Sequence, residues 1–159
     1  MGRRLLNFYL PPDQISDRPL VTFKGNLAHI SHPIFSAYFE LASVDLRTLF
    51  ANILSRLLPE PLLKVSGLPS FGKATVTSQQ GRRMVHLINY VPELRGKSEI
   101  VEEPVYAANV NIEIRHDGML PTKVYLAPKG KELPFTMENN YVCVDVPVFK
   151  GYALIVFES

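Results

Sequence analysis

Arg82-Arg-Met-Val-His-Leu-Ile-Asn-Tyr-Val-Pro92 decides how the rest of this chain is read. Its run of β-branched and long apolar residues, closed by a proline that has no N–H for a ladder, is the pattern of a largely buried strand. Downstream, short alternating segments follow at Glu99–Glu102, Asn109–Arg115, Lys123–Leu126, Glu132–Phe135, Tyr141–Val146 and Tyr152–Phe157, and one, Lys73–Ser78, precedes it. Turn chemistry separates them at Gln80-Gly81, Arg95-Gly96, Asp117-Gly118, Lys129-Gly130, Asn139-Asn140 and Lys150-Gly151. Asn109-Val-Asn-Ile-Glu-Ile-Arg115 alternates most cleanly and sends Val110, Ile112 and Ile114 toward a core. Short strands at this spacing predict a mainly β chain built on an antiparallel β-sandwich.

Upstream the period changes. Leu20–Phe23 and Leu27–Ser31 flank Lys24-Gly-Asn26, a turn that suits a hairpin because Gly and Asn tolerate positive φ. His32-Pro33 opens a short helix carrying Ile34, Phe35, Tyr38 and Phe39 inward. A second helix begins at Ser43, a candidate N-cap, with Asp45 at the positive end of the dipole. Leu46, Leu49, Phe50, Ile53, Leu54, Leu57 and Leu58 recur there at three- and four-residue steps, an apolar stripe stopped by Pro59-Glu60-Pro61. The expected division is therefore 1–60, a small α/β piece, and 61–159, the sandwich. Two strands and two helices are too few for an independent core. That piece reads as the tail of a domain truncated at its N-terminus, with Phe35, Leu46, Leu49, Phe50, Ile53 and Leu57 as the assembly residues of a homo-oligomer.

Composition narrows the function classes. The 159 residues are 47% hydrophobic and carry a formal net charge of +2 with basic residues scattered, which argues against a nucleic-acid face. No apolar run has membrane-spanning length, and the polar, proline-rich sequence after Met1–Leu6 does not suit a signal peptide, so a cytoplasmic location is expected. The single cysteine, Cys143, lies in the strand pattern Tyr141–Val146 and reads as a packing residue.

No catalytic, metal or cofactor site is visible. His29 and His32 flank Ser31, with Ser36 nearby, but the Gly-x-Ser-x-Gly elbow of serine hydrolases is absent. His29-x-x-His32 has no Cys or carboxylate partner at a metal-ligand spacing, and His86 and His116 join no cluster. Glu102-Glu103 are adjacent, so a strand would point them to opposite faces, whereas glycoside hydrolysis needs two carboxyls about 5–10 Å apart on one site. Glu60, Glu93 and Asp145 carry no mark of catalysis. A carbohydrate-binding module is the alternative, with Tyr90, Tyr106 and Tyr141 as sugar contacts, although packing explains most tyrosines in strand patterns and the chain has no tryptophan.

Gly25-Asn-Leu-Ala-His-Ile-Ser-His-Pro-Ile-Phe-Ser-Ala-Tyr38, with Leu57-Leu-Pro-Glu-Pro-Leu62, resembles the end of the β-galactosidase trimerisation domain. Met84-Val-His-Leu-Ile-Asn-Tyr-Val-Pro-Glu93 and Lys123-Val-Tyr-Leu-Ala-Pro-Lys-Gly-Lys-Glu-Leu133 resemble the β-sandwich that follows it in bacterial glycoside hydrolases related to family 42 β-galactosidases. The resemblance implies an N-terminal catalytic barrel elsewhere in the parent protein, a flavodoxin-like middle domain that makes trimer contacts, and a small closing sandwich. It carries no catalytic residue onto this sequence and assigns no chemistry to His29 or His32. The expected role is a non-catalytic scaffold whose partners are the parent's own barrel and further copies of the chain.

Overall fold

The computed structural model describes residues 17–159, and the chain divides into two compact units, Met1–Glu60 and Pro61–Ser159. In the first, β1 (Val21–Lys24) and β2 (Leu27–Ile30) form an antiparallel hairpin across Gly25-Asn26, where Gly25 takes φ +56°. Helices α1 (Ile34–Leu41) and α2 (Val44–Leu57) follow, joined by Ala42 in the left-handed region, whose N–H closes α1 on the Tyr38 carbonyl. Ser43 occupies the N-cap of α2, but its side chain makes no capping bond, unlike the expectation. Its hydroxyl group is instead in a buried residue, and its carbonyl receives the Arg47 N–H.

The second unit is a two-layer antiparallel sandwich, as the alternation predicts. The larger sheet runs β11 (Lys131–Glu132), β10 (Lys123–Ala127), β14 (Phe149–Glu158), β5 (Arg82–Asn89), β4 (Lys73–Gln79), with β8 (Tyr106–Ala107) on the start of β14. The smaller runs β12 (Phe135–Glu138), β13 (Tyr141–Val146), β9 (Val110–Arg115), β3 (Leu63–Ser66). A separate hairpin, β6 (Glu93–Arg95) and β7 (Ser98–Ile100), projects from the loop after β5.

Strand parity places the core. Val85 and Leu87 of β5 lie opposite Ile155 and Ala153 of β14, and Val124 of β10 lies opposite Phe157. From the other sheet come Val110, Ile112 and Ile114, paired with Val146, Val144 and Val142. All of these are buried in one cluster. At about 25 cal/mol per Å2 of apolar area removed from water, such a layer is the dominant stabilising term of the unit.

Besides the Ser43 cap, three expectations about strands and turns differ from the structure. Glu132–Phe135 is not one strand: the chain crosses between sheets there, leaving β11 after Glu132 and entering β12 at Phe135. Leu133 is buried at the crossing, its N–H on the Val124 carbonyl, and Pro134 has no N–H with which to continue a ladder. Lys150-Gly151 is not a turn but lies inside β14, where Gly151 takes φ +72° opposite Asn89. A Cβ there would stand within 2.8 Å of the Tyr90 ring and Pro104, so glycine is required by both conformation and space. The Glu99–Glu102 strand spans only Ser98–Ile100, so Glu102 and Glu103 lie outside strands and the opposite-faces argument does not apply to them. Glu102 is held instead by Arg95, whose guanidinium also reaches Glu93.

Candidate functional surfaces

In the first unit, the apolar stripe of α2 is divided between packing and exposure. Ile53 is buried, while Leu46, Leu49, Phe50 and Leu57 are half-buried. Phe35 of α1 stacks edge-on against Phe50 at 4.9 Å between ring centres, yet stays exposed. Around them Phe39 is 91% exposed, and Leu27, Val44 and Leu58 are each more than half exposed. Arg56 lays its guanidinium 4.1 Å over the Phe23 ring, a cation–π contact that ties α2 to the hairpin. A groove of about 510 Å3 opens between α1, α2 and the segment before β1, lined chiefly by Leu20, Pro33, Ile34, Ala37, Leu41 and Leu46. Its wall is mostly apolar carbon, but His32, Ser43 and Asp45 also line it. Among the described residues no hydrogen bond joins these three side chains, so they form no catalytic relay.

The histidines are placed by backbone and neighbours. Ser31 Oγ lies 3.2 Å from the Leu20 carbonyl and 3.1 Å from His32 Nδ1, so the pair fastens the hairpin exit to the segment before β1. Among the described residues no carboxylate bonds to either His29 or His32, which leaves Ser31–His32 without the orienting acid of a catalytic triad. His116 Nδ1 accepts the Gly118 N–H within the Asp117-Gly118 turn. Among the described residues no group of three or more His, Cys, Asp and Glu side chains is disposed to hold a metal ion.

His86 has a setting that the sequence did not announce. On the outer face of the larger sheet its Nε2 lies 2.9 Å from Thr77 Oγ1 and its Nδ1 lies 2.8 Å from Tyr152 Oη. The three residues come from β4, β5 and β14, with His86 and Tyr152 separated by 66 positions. Outward parity on each strand was legible, but only the strand order and register bring them side by side.

The three tyrosines considered as sugar contacts do not share a surface role. Tyr141 is only 3% exposed: its hydroxyl donates to the Pro61 carbonyl at 2.7 Å and Lys64 Nζ sits 3.7 Å over its ring. Both faces of recognition are thereby taken, and Tyr141 is a packing residue. Tyr90 lies down on Gly151, again a packing role. Tyr106 is 66% exposed with Lys150 Nζ 5.3 Å from its ring centre, and it alone of the three keeps an open side.

Among the described residues three titrating groups are shifted. The Arg115 guanidinium, bonded at 2.6 Å, holds the Asp117 carboxyl below its ordinary 3.8, with burial opposing and Arg83 adding to the effect. Glu132 at 2.8 Å raises Lys123. Burial raises the Cys143 thiol, and the nearby Glu113 carboxylate raises it further. A thiol held protonated is a poor nucleophile.

These surfaces define a class first: a two-sheet antiparallel sandwich preceded by a small helical unit that leaves apolar side chains uncovered. No family model and no curated protein matches the chain. Among solved structures, the α-L-fucosidase isoenzyme 2 from Paenibacillus thiaminolyticus superposes with a TM-score of 0.86 at 27% identity. The match covers 93% of this chain and 23% of the fucosidase. A cycloisomaltooligosaccharide glucanotransferase from a Paenibacillus species matches at a TM-score of 0.48 and 15% identity, over 60% of this chain and 16% of that one, too weak to argue from. The chain is thus similar to a part of a glycoside hydrolase and spans about a quarter of that enzyme's length.

Proposed function

We propose that this chain is the C-terminal, non-catalytic region of a multidomain glycoside hydrolase, acting in assembly and in support of a catalytic barrel. The observation that carries the reading is the match of nearly the whole chain to 23% of an α-L-fucosidase. On this reading residues 1–60 are the end of a flavodoxin-like, trimerisation-type domain and 61–159 the sandwich that closes the protein. The resemblance to family 42 β-galactosidases read from the sequence, taken with the similarity to a Paenibacillus fucosidase, supports a bacterial parent that cleaves galactosyl or fucosyl linkages. A cytoplasmic location belongs to the same proposal.

The assembly role is supported by the exposed apolar side chains of the first unit, Phe35, Phe39, Val44 and Leu58. Large apolar side chains left exposed in one small unit are the kind of surface that interaction sites use. Light scattering across a concentration series tests it. A stable dimer or trimer is expected, and Phe39→Asp should reduce it to a monomer without loss of helix signal. A monomer at every concentration would remove the assembly role.

A further inference from the structure

We infer that the smaller sheet carries a saccharide-binding site at the uncovered end of β13, built on Asp145, Asn111 and Thr136. The inference goes beyond the assembly reading and stands whether or not the chain oligomerises.

The site follows from where β12 begins. Phe135 pairs with Val144, and β12 supplies no partner to Asp145 or Val146, which are paired only on their β9 side with Asn111 and Val110. The cause is the crossing at Leu133-Pro134, which takes the chain away to the other sheet. It leaves a groove of about 170 Å3 lined by Asn111, Pro134, Phe135, Thr136, Cys143 and Asp145. A second recess of about 450 Å3 shares Asp145 and continues along Asn109, Pro147 and Val148. The first has room for one pyranose ring, and the second extends the path for a further sugar unit.

The lining chemistry selects the ligand. Asn111 Nδ2 donates to Asp145 Oδ1 at 2.9 Å, which fixes the carboxylate of an exposed residue. Among the described residues no cation forms an ion pair with Asp145. A carboxylate accepts O–H donors, an amide side chain both donates and accepts, and a threonine hydroxyl does either. Vicinal hydroxyls of a sugar present that mixture. Pro134 and Val148 add apolar surface suited to the C–H face of the ring. An anionic ligand would meet Asp145 without a compensating cation, so the class is a neutral saccharide.

The test uses the whole 159-residue chain, labelled with 15N, titrated separately with lactose and with methyl α-L-fucoside. Saturable shifts are expected in the Asn111 side-chain amide and in the backbone amides of Thr136, Cys143 and Asp145. A shallow site of this size predicts a Kd on the order of 1–10 mM. Asp145→Ala, which removes an exposed side chain with one hydrogen bond, should keep the spectrum of the fold and weaken binding about tenfold or more. Thr136→Val, close to isosteric, should weaken it about threefold. The inference is overturned if neither sugar gives saturable shifts up to about 50 mM. It is also overturned if Asp145→Ala binds as well as the parent, if the shifts centre on Tyr106 or Tyr152, or if calcium chloride moves these resonances while the sugars do not.

Discussion

Tyr141 shows how one residue's role depends on partners far away in sequence. It sits in the strand run Tyr141–Val146, yet its hydroxyl reaches Pro61 across 80 positions. Tyr141→Phe should cost about 1 kcal/mol, the net worth of a neutral hydrogen bond, read as a lower midpoint in urea with an unchanged slope. Cys143 gives a second expectation. With its thiol raised by burial, alkylation by iodoacetamide at neutral pH should run well below the rate measured after unfolding in urea. Equal rates would contradict its protected setting. Asp117 gives a third, through pH. Its folded pKa lies below the unfolded 3.8, so its contribution is present above that value and lost as pH falls through the folded pKa. Thermal unfolding of the parent and of Asp117→Asn should therefore differ near neutrality and converge as the pH falls through the folded pKa.

At the scale of elements, α2 and the sandwich strands illustrate two kinds of apolar pattern. The three- and four-residue stripe of α2 was legible, and the helix forms over Val44–Leu57. Periodicity alone could not divide the stripe between the buried Ile53, the half-buried Leu49 and the exposed Leu54. Ile53→Asp should unfold the helical unit, because it places a charge where no partner is available. By contrast Phe39→Asp should leave helicity intact. Circular dichroism at 222 nm on the two variants separates the cases. In the strands, alternation is a firmer guide: the inward set Val110, Ile112 and Ile114 is buried as read. Leu87→Ala, in the middle of that layer, should cost about 2–5 kcal/mol, since close-packed surroundings collapse only partly into the void. Three elements were missed, among them the short arm Glu93–Arg95 that pairs with Ser98–Ile100. Leu63–Ser66 is too short to show a period, and is a strand because Leu63 and Val65 pair with Ile114 and Ile112. Tyr106–Ala107 exists only as a partner for the start of β14.

For the whole molecule, the sandwich owns a continuous buried cluster from two opposed sheets, whereas the helical unit buries little of its own apolar surface. Residues 61–159 expressed alone should therefore give a cooperative thermal transition and a β-type spectrum. Residues 1–60 alone should not. A non-cooperative transition in the longer fragment would mean that its layer needs the rest of the chain.

Sequence by itself determined the mainly β class, the secure helix, the hairpin turn at Gly25-Asn26 and most of the inward-facing residues. Each of these rests on local conformational preference or on a side-chain period within one segment. The pairing order of the strands, the crossing at Pro134, the glycine inside β14, and the meetings of Thr77 with His86 and Tyr152 and of Asn111 with Asp145 were decided only by the tertiary structure. Sheet register joins residues tens of positions apart through backbone hydrogen bonds that every residue but proline can form in the same way, so the side-chain pattern alone does not specify which strands meet.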